Sequence, residues 1–377
     1  MRFKRIIALL LGTAMSVSLL TGCDTTVEDV IQEYTGTEIT GTEDTEIVRD
    51  YDAGRKAYDA DEVVLTIEGE DMTWEEFYGW ICYSLSTYEY SYGEVTDFAA
   101  TGAAGTLSDD IINEAVYIAT LYKGIEKKAA ELGITNSPDI DTLFREDMAG
   151  ALEFYGTEED LETAIVEYYG SEEIYEYMFK MNDLSDRLFE ELYGVDGEKL
   201  TEEQLAEGSE GYLMAKHILV STVDDEGNAL DEDGLAAAKE KIENVYDLLC
   251  EYEGDDLNGY FDDLTAEYTD DPGHLSYPDG YLFQDGDMVT EFYDATLSVE
   301  EGQFSEIVES SFGYHIVLRL PIDPKAVPMS YASYGYNYSL GNIIANNLLT
   351  MDTQTWTEEV EYSTTAFYDT IDLSQVF

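Results

Sequence analysis

The chain has 377 residues, with 83 Asp and Glu against 18 Lys and Arg, and a formal net charge of −65. That balance excludes nucleic acid as a partner and opposes close approach to anionic lipid. With 44% hydrophobic and 13% aromatic residues, the chain is too apolar for a disordered acidic polymer and long enough for two domains with cores of their own.

At the N-terminus, Arg2, Lys4 and Arg5 precede an apolar run from Ile6 to Leu11 that continues in small residues to Leu20, and then Leu20-Thr21-Gly22-Cys23. This pattern reads as an export signal, short for a membrane span. The tetrad resembles a bacterial lipobox, which implies cleavage before Cys23 and a lipid on its thiol. Residues 1–22 are then a lipoprotein signal peptide, and the chain is lipid-anchored on the extracytoplasmic face of the cell membrane. Residues 23–60, rich in Thr, Glu, Asp and Gly, read as an acidic flexible tether extended by its own charge. Of the remaining cysteines, Cys82 and Cys250 each fall in an apolar helical pattern in different predicted domains, so buried free thiols are expected. No His/Cys cluster has metal-ligand spacing, and neither metal nor cofactor is expected.

Residues 61–210 read as a mainly helical region. Val63 to Ile67 is a short β-rich run closed by Glu68-Gly69-Glu70. Thr73-Trp74-Glu75-Glu76 has capping-box spacing before a helix to about Tyr90. The spacing of Ile111, Ile118, Leu121, Ile125, Ala129 and Leu132 predicts a helix from Ser108 to Leu132, stopped by Gly133. Ser137-Pro138 predicts an N-cap for a helix to about Tyr155. Thr157 and Ser171 start two more, ended by Gly170 and Gly194, and Thr201 to Gln204 is another capping box. Tyrosines 155, 168, 169, 175, 177 and 193 recur along these helices. They fit core packing, and they fit an exposed aromatic cleft for unfolded chains.

The most informative stretch opens with Ala215-Lys216-His217-Ile218-Leu219-Val220 and closes with Phe312-Gly313-Tyr314-His315-Ile316-Val317-Leu318. Alternation puts His217 and Leu219 on one strand face, and His315 and Val317 on one face of the other. Between them come a helical stripe (Leu235, Ala238, Ile242, Val245, Leu249), a second short helix with Phe261 and Leu264, and the turn Tyr268 to Pro272. Tyr281-Leu282-Phe283, the helically spaced Met288, Phe292 and Ala295, and Gly302 with Phe304-Ser305 complete the run. In order and spacing, residues 211–322 resemble the parvulin family of peptidyl-prolyl isomerases, which implies a β-α-α-β-α-β-β domain. The resemblance implies that His217, Asp271 and His315 form the polar centre and that Met288 and Phe292 wall a proline pocket with Phe283 behind them. Gly280 falls where a pocket leucine is common in the family, which leaves one wall weaker. The same histidines and aspartate also fit a buried network that only holds the sheet, and His274 in its Gly/Pro-rich loop reads as solvated.

Helices placed before such a domain resemble the chaperone lobe of PrsA-type extracellular foldases and SurA-type periplasmic chaperones. The expected class is therefore α+β, a parvulin-like domain joined to a mainly helical lobe. After the prolines at 321, 324 and 328, residues 323–377 are expected to return and pack on that lobe through Trp356 and Phe367.

Rotation about an X-Pro amide meets a barrier of ~18–20 kcal/mol and needs no nucleophile, only an apolar grip and suitable electrostatics. The expected function is a membrane-anchored foldase acting on unfolded or newly secreted polypeptides. It is not directed to phosphate, because the loop after the first strand reads Asp224-Asp225-Glu226-Gly227 and then Asp231-Glu232-Asp233. The alternative within this fold is a binding-only holdase. A surface adhesion or cation-buffering lipoprotein is a third reading, and no Asp-rich loop with calcium-site spacing supports it. Monomer and homodimer are equally compatible with the sequence.

Overall fold

The computed structural model describes residues 49–224 and 226–377. The signal, Cys23 and most of the proposed tether lie outside the described residues. The chain divides into two compact units, one ending at Glu191 and resumed by Leu349–Phe377, the other Leu192–Leu348.

The first unit begins with α1 (Tyr51–Arg55), β1 (Val63–Ile67) and β2 (Glu70–Thr73), followed by α2 (Trp74–Tyr92), α3 (Leu107–Leu132), α4 (Ile140–Tyr155), α5 (Glu158–Tyr169) and α6 (Glu172–Tyr193). Glu68 and Gly69 both have positive φ (50° and 81°), the geometry of a two-residue hairpin turn that matches strand twist. Helix starts follow their capping chemistry. The Glu76 carboxylate accepts from the Thr73 N–H at 3.0 Å, and Asp109 accepts from the Thr106 N–H at 2.8 Å. The core gathers Trp74, Phe77, Tyr78, Ile81, Ile111 and Ile118, all buried.

Two expectations fail locally. Ser137 does not cap α4: its N–H donates to Asp183 at 2.9 Å and its hydroxyl to Asp139 at 2.5 Å, so the helix starts only at Ile140. The stretch 49–60 is not tether either. Arg49 pairs with Glu89 at 2.5 Å, the Trp74 indole N–H donates to the Arg55 carbonyl at 2.7 Å, and Tyr58 packs edge-on against Trp74 and Phe367. Its aromatic anchors are too few to register in a composition dominated by Asp and Thr.

The tyrosines largely pack inward. Tyr169 stacks on Tyr83 and Tyr175, and Tyr177 meets Trp80 and Tyr122 edge-on. Tyr175 and Tyr193 are buried, while Tyr155 and Tyr168 are half-buried. Cys82 is a buried free thiol, and burial pushes its pKa up to about 12.

The second unit contains α7 (Glu202–Gly208), β3 (Leu213–Ser221), α8 (Glu232–Cys250), α9 (Leu257–Tyr268), β4 (Tyr281–Phe283), α10 (Thr290–Leu297), β5 (Val308–Glu309), β6 (Gly313–Leu320) and α11 (Met329–Ser333). Its antiparallel sheet has the order β4-β3-β6-β5. From β3 to β6 the succession is β-α-α-β-α-β-β. One sheet face packs Ile218, Val220, Ile316 and Leu318 against α8 and α9 through Ile242, Val245 and Phe261. The other carries Leu213, Ala215 and Val317 with Phe283 and Phe292. Cys250 ends α8 and is exposed, contrary to expectation, because it lies one residue past Leu249 and off the buried stripe.

The tail divides between the units. Residues through Leu348 belong with the sheet of β3 to β6: Pro328 bridges to Leu282 in parallel, Met329 packs against the cluster of Phe283 and Phe292, and the Gly341 N–H donates to the Pro324 carbonyl at 2.7 Å. A helix, α12 (Leu340–Glu358), then leads to β7 (Tyr362–Thr364), which pairs with β1 at Leu65↔Thr364 and Ile67↔Tyr362. Trp356, Leu373 and Val376 are buried in the first unit. Deleting 349–377 removes a strand and these three core side chains, each large-to-small loss costing about 2–5 kcal/mol. Calorimetry of the truncated chain is expected to lose the melting transition of the first unit and keep that of the second; loss of the second instead would contradict this division.

Candidate functional site

Strands β3 and β6 pair in unbroken register from Met214↔Leu320 to Ser221↔Gly313, with His217 opposite Val317 and Leu219 opposite His315. The two histidines are thus diagonal neighbours on one face. Both are buried. Their Nδ1 atoms lie 3.1 Å apart. His217 Nε2 is 2.7 Å from Asp271 Oδ2, and His315 Nε2 is 2.6 Å from Ser310 Oγ. The Tyr281 hydroxyl donates to Asp271 Oδ2 at 2.6 Å, and the Gly273 N–H to Oδ1 at 2.9 Å.

An ionised carboxylate only accepts, so His217 carries a proton on Nε2. Between the rings one Nδ1 donates and the other accepts, and the Ser310 hydroxyl, which can do either, matches the remaining His315 Nε2. The chain of contacts runs Ser310, His315, His217, Asp271. Burial, reinforced by the neighbouring His217, lowers the His315 pKa to about 4, so it is neutral near pH 7. Burial pushes the Asp271 carboxyl up, yet the hydrogen bonds from His217, Tyr281 and Gly273 outweigh it and hold the group well below the usual carboxylate range. Burial and the bond to Asp271 raise the Tyr281 phenol.

The apolar part lies alongside. The Phe292 ring meets His217 edge-on at 5.1 Å and Phe283 at 5.2 Å. Phe292 is 1% exposed and Phe283 0%, so both form floor, whereas Met288, just before α10, packs half-buried against their cluster. All six residues singled out in the sequence thus belong to one neighbourhood. Gly280 has φ +110°, and a Cβ there would stand 3.0 Å from the Ala215 carbonyl oxygen and from Leu320 Cδ1. The position needs glycine for backbone reasons, since the chain must turn into β4 against β3.

Three participants escaped the sequence. Ser310 and Tyr281 complete the network, and His274, expected to be solvated, is half-buried with Nδ1 2.5 Å from the Asp271 carbonyl oxygen. Ser310 could have been sought from the hairpin that leads into His315; nothing local marks the phenol of Tyr281 as a partner of Asp271. Among the described residues no group of His, Cys, Asp and Glu could hold a metal ion.

Residues 217–320 match the rotamase family, described as a PPIC-type PPIASE domain. The chain therefore carries a PPIC-type peptidyl-prolyl isomerase domain. It is similar to the PrsA-type foldases: the foldase protein PrsA 4 of Bacillus cereus is 36% identical over 120 residues, 31% of this chain and 35% of that protein. The foldase protein PrsA of Geobacillus kaustophilus is 32% identical over 169 residues, 44% of this chain and 49% of its own. The matches thus span half or less of the length of these curated relatives. The crystal structure of the peptidylprolyl isomerase PrsA from Bacillus cereus aligns with 80% of this chain and 91% of its own at 19% identity, with a TM-score of 0.28.

The low His315 pKa has a consequence for stability. Between about 4 and the ordinary 6.5 the unfolded chain binds a proton that the folded chain does not, so stability falls as pH drops through that window and is fully present above it. A 2.5-unit displacement corresponds to about 3 kcal/mol. His315→Gln is expected to remove that slope, read as the difference in melting temperature between variant and parent from pH 7 to pH 4. Parallel curves would show that folding does not lower the His315 pKa.

Proposed function

We propose that this chain is a lipid-anchored extracytoplasmic foldase whose PPIC-type domain isomerises unphosphorylated X-Pro bonds and whose helical unit assists folding of secreted polypeptides. The observation that carries it is the buried His217–His315–Asp271 network set beside the Met288 and Phe292 cluster. Proline binds against Met288, whose unbranched side chain can swing off Phe292, while the carbonyl side turns. Moving the amide out of water disfavours its charge-separated planar form and so lowers the barrier to rotation. Asp224 and Glu226 in the loop after β3, with Asp231, Glu232 and Asp233 at the start of α8, repel a phosphoserine. The tyrosine-rich helical unit and the curated foldase relatives support the folding-assistance part. Among the described residues no helix is long and apolar enough to cross a membrane. The attachment proposed is through Cys23 of the lipobox-like tetrad. The acidic body offers anionic lipid nothing to hold.

The near-complete burial of Phe292 favours a second reading, a binding-only holdase whose proline pocket stays shut. A protease-free isomerisation assay on unphosphorylated X-Pro peptides separates the two. Turnover is expected, with Met288→Ala lowering kcat/KM about tenfold or more, the size of effect seen when pocket methylenes are lost, and with suppression of client aggregation nearly intact. Aggregation suppression without turnover would select the holdase.

Anchoring has its own test. Cys23→Ala is expected to shift the protein out of the membrane fraction or leave it as an unprocessed precursor. Normal processing with unchanged membrane partitioning would refute the anchor.

A further inference from the structure

From residue 242 to residue 318 the chain has no Lys or Arg and twenty Asp and Glu. That span supplies every residue of the site except His217: Asp271, Tyr281, Phe283, Met288, Phe292, Ser310 and His315. Of the cations just outside it, two are neutralised by carboxylates. Lys216 follows the alternation of β3 to the opposite face, where it is buried and bonded to Asp262 at 2.7 Å, and Lys241 binds Asp270 at 3.0 Å. Arg319, on the site's face of β6, donates to the Val299 carbonyl at 3.0 Å and is the one cation there that the carboxylates must outweigh.

Carboxylates, in contrast, flank the pocket residues directly. Asp287 precedes Met288 and Glu291 precedes Phe292. Asp279 lies in the turn closed by the Gly280 N–H to the Tyr277 carbonyl, 3.0 Å, just before Tyr281. Glu309 adjoins Ser310, though its pairing with Tyr314 puts it on the sheet face opposite His315. Asp279, Glu291 and Glu309 are exposed, and none of these four forms a salt bridge among the described residues. At ordinary ionic strength such charges act over about 8–10 Å. Asp271 adds a carboxylate kept ionised inside the site.

We infer that this site selects X-Pro segments in which Lys or Arg stands next to the proline, and disfavours those with Asp or Glu. The inference rests on the isomerase reading above and specifies its substrate class. The binding site is the proline pocket itself, and the carboxylates decide which peptides reach and occupy it. The selection acts through Coulomb attraction and encounter rate more than through direct contact.

The test measures kcat/KM of the full chain on three otherwise identical peptides with Lys, Leu or Glu before proline. Lys is expected to exceed Glu about tenfold at about 20 mM salt, with Leu between, and the ratio to shrink to about twofold or less at about 0.5 M. The double variant Asp279→Asn with Glu291→Gln should lower the Lys-to-Glu ratio at low salt at least about twofold, whatever its absolute rate. Turnover with equal rates at low salt, or a Lys preference that salt leaves unchanged, would overturn the charge selection alone. No turnover on any of the three would overturn the isomerase reading and this inference together.

Discussion

The register between β3 and β6 is the constraint on which the site depends. Side chains alternate with period two, so a one-residue slip would turn His217 and His315 onto the face that packs against α8 and α9, where Ile242, Val245 and Phe261 fill the space. The alternation is enforced from both sides, since Ile218, Val220, Ile316 and Leu318 are buried on one face while Ala215 and Val317 are buried on the other. The histidines are therefore placed by hydrophobic burial of residues that take no part in their hydrogen bonding. Lys216 tests the same rule from the other side: its ammonium is buried on the helix-covered face and is matched there by Asp262 and Asn258.

In a chain of net charge −65 part of the acid is used locally at helix starts. Asp109 and Glu76 close capping boxes, Thr157 has Asp160 three residues on, and Asp231 and Asp256 cap α8 and α9. At those positions a negative charge meets the positive end of a helix dipole and satisfies N–H groups that would otherwise lack partners. The opposite ends lack the complementary cations, and several close on glycine instead: Gly133 and Gly156 stop α3 and α4 in left-handed conformation. The carboxylates that remain are mostly solvent-facing, where repulsion is screened and costs little per pair.

What could be read in the sequence, and what could not, follows from the range of the interactions. Strands with paired histidines, helices with capping boxes and the order of the second unit are set by neighbours within a few residues, and they appear where periodicity puts them. Ser310 and Tyr281 join the network only through the pairing of β5 with β6 and of β4 with β3, which local patterns do not encode. The same holds for the tail. Prolines at 321, 324 and 328 suggested a boundary, whereas Pro328 and Met329 continue along β4 and back the Phe292 cluster. At Gly280 the family pattern led the sequence to suggest a weakened wall. A side chain there would be strained by the positive φ and crowded against the Ala215 carbonyl.

The network also narrows the chemistry. His217 and His315 together present four ring nitrogens, and all four are engaged: two with each other, one with Asp271 and one with Ser310. Each nitrogen is already used within the network, so none is left with a spare proton or lone pair directed at a substrate. Proton transfer from imidazole to the amide nitrogen would require breaking a buried bond whose loss leaves a polar group unsatisfied, at a cost of about 1–3 kcal/mol. A rigid pair of rings beside an ionised carboxylate instead offers fixed shape and a fixed field. Those are the two things that rotation about an amide can use without forming or breaking a covalent bond.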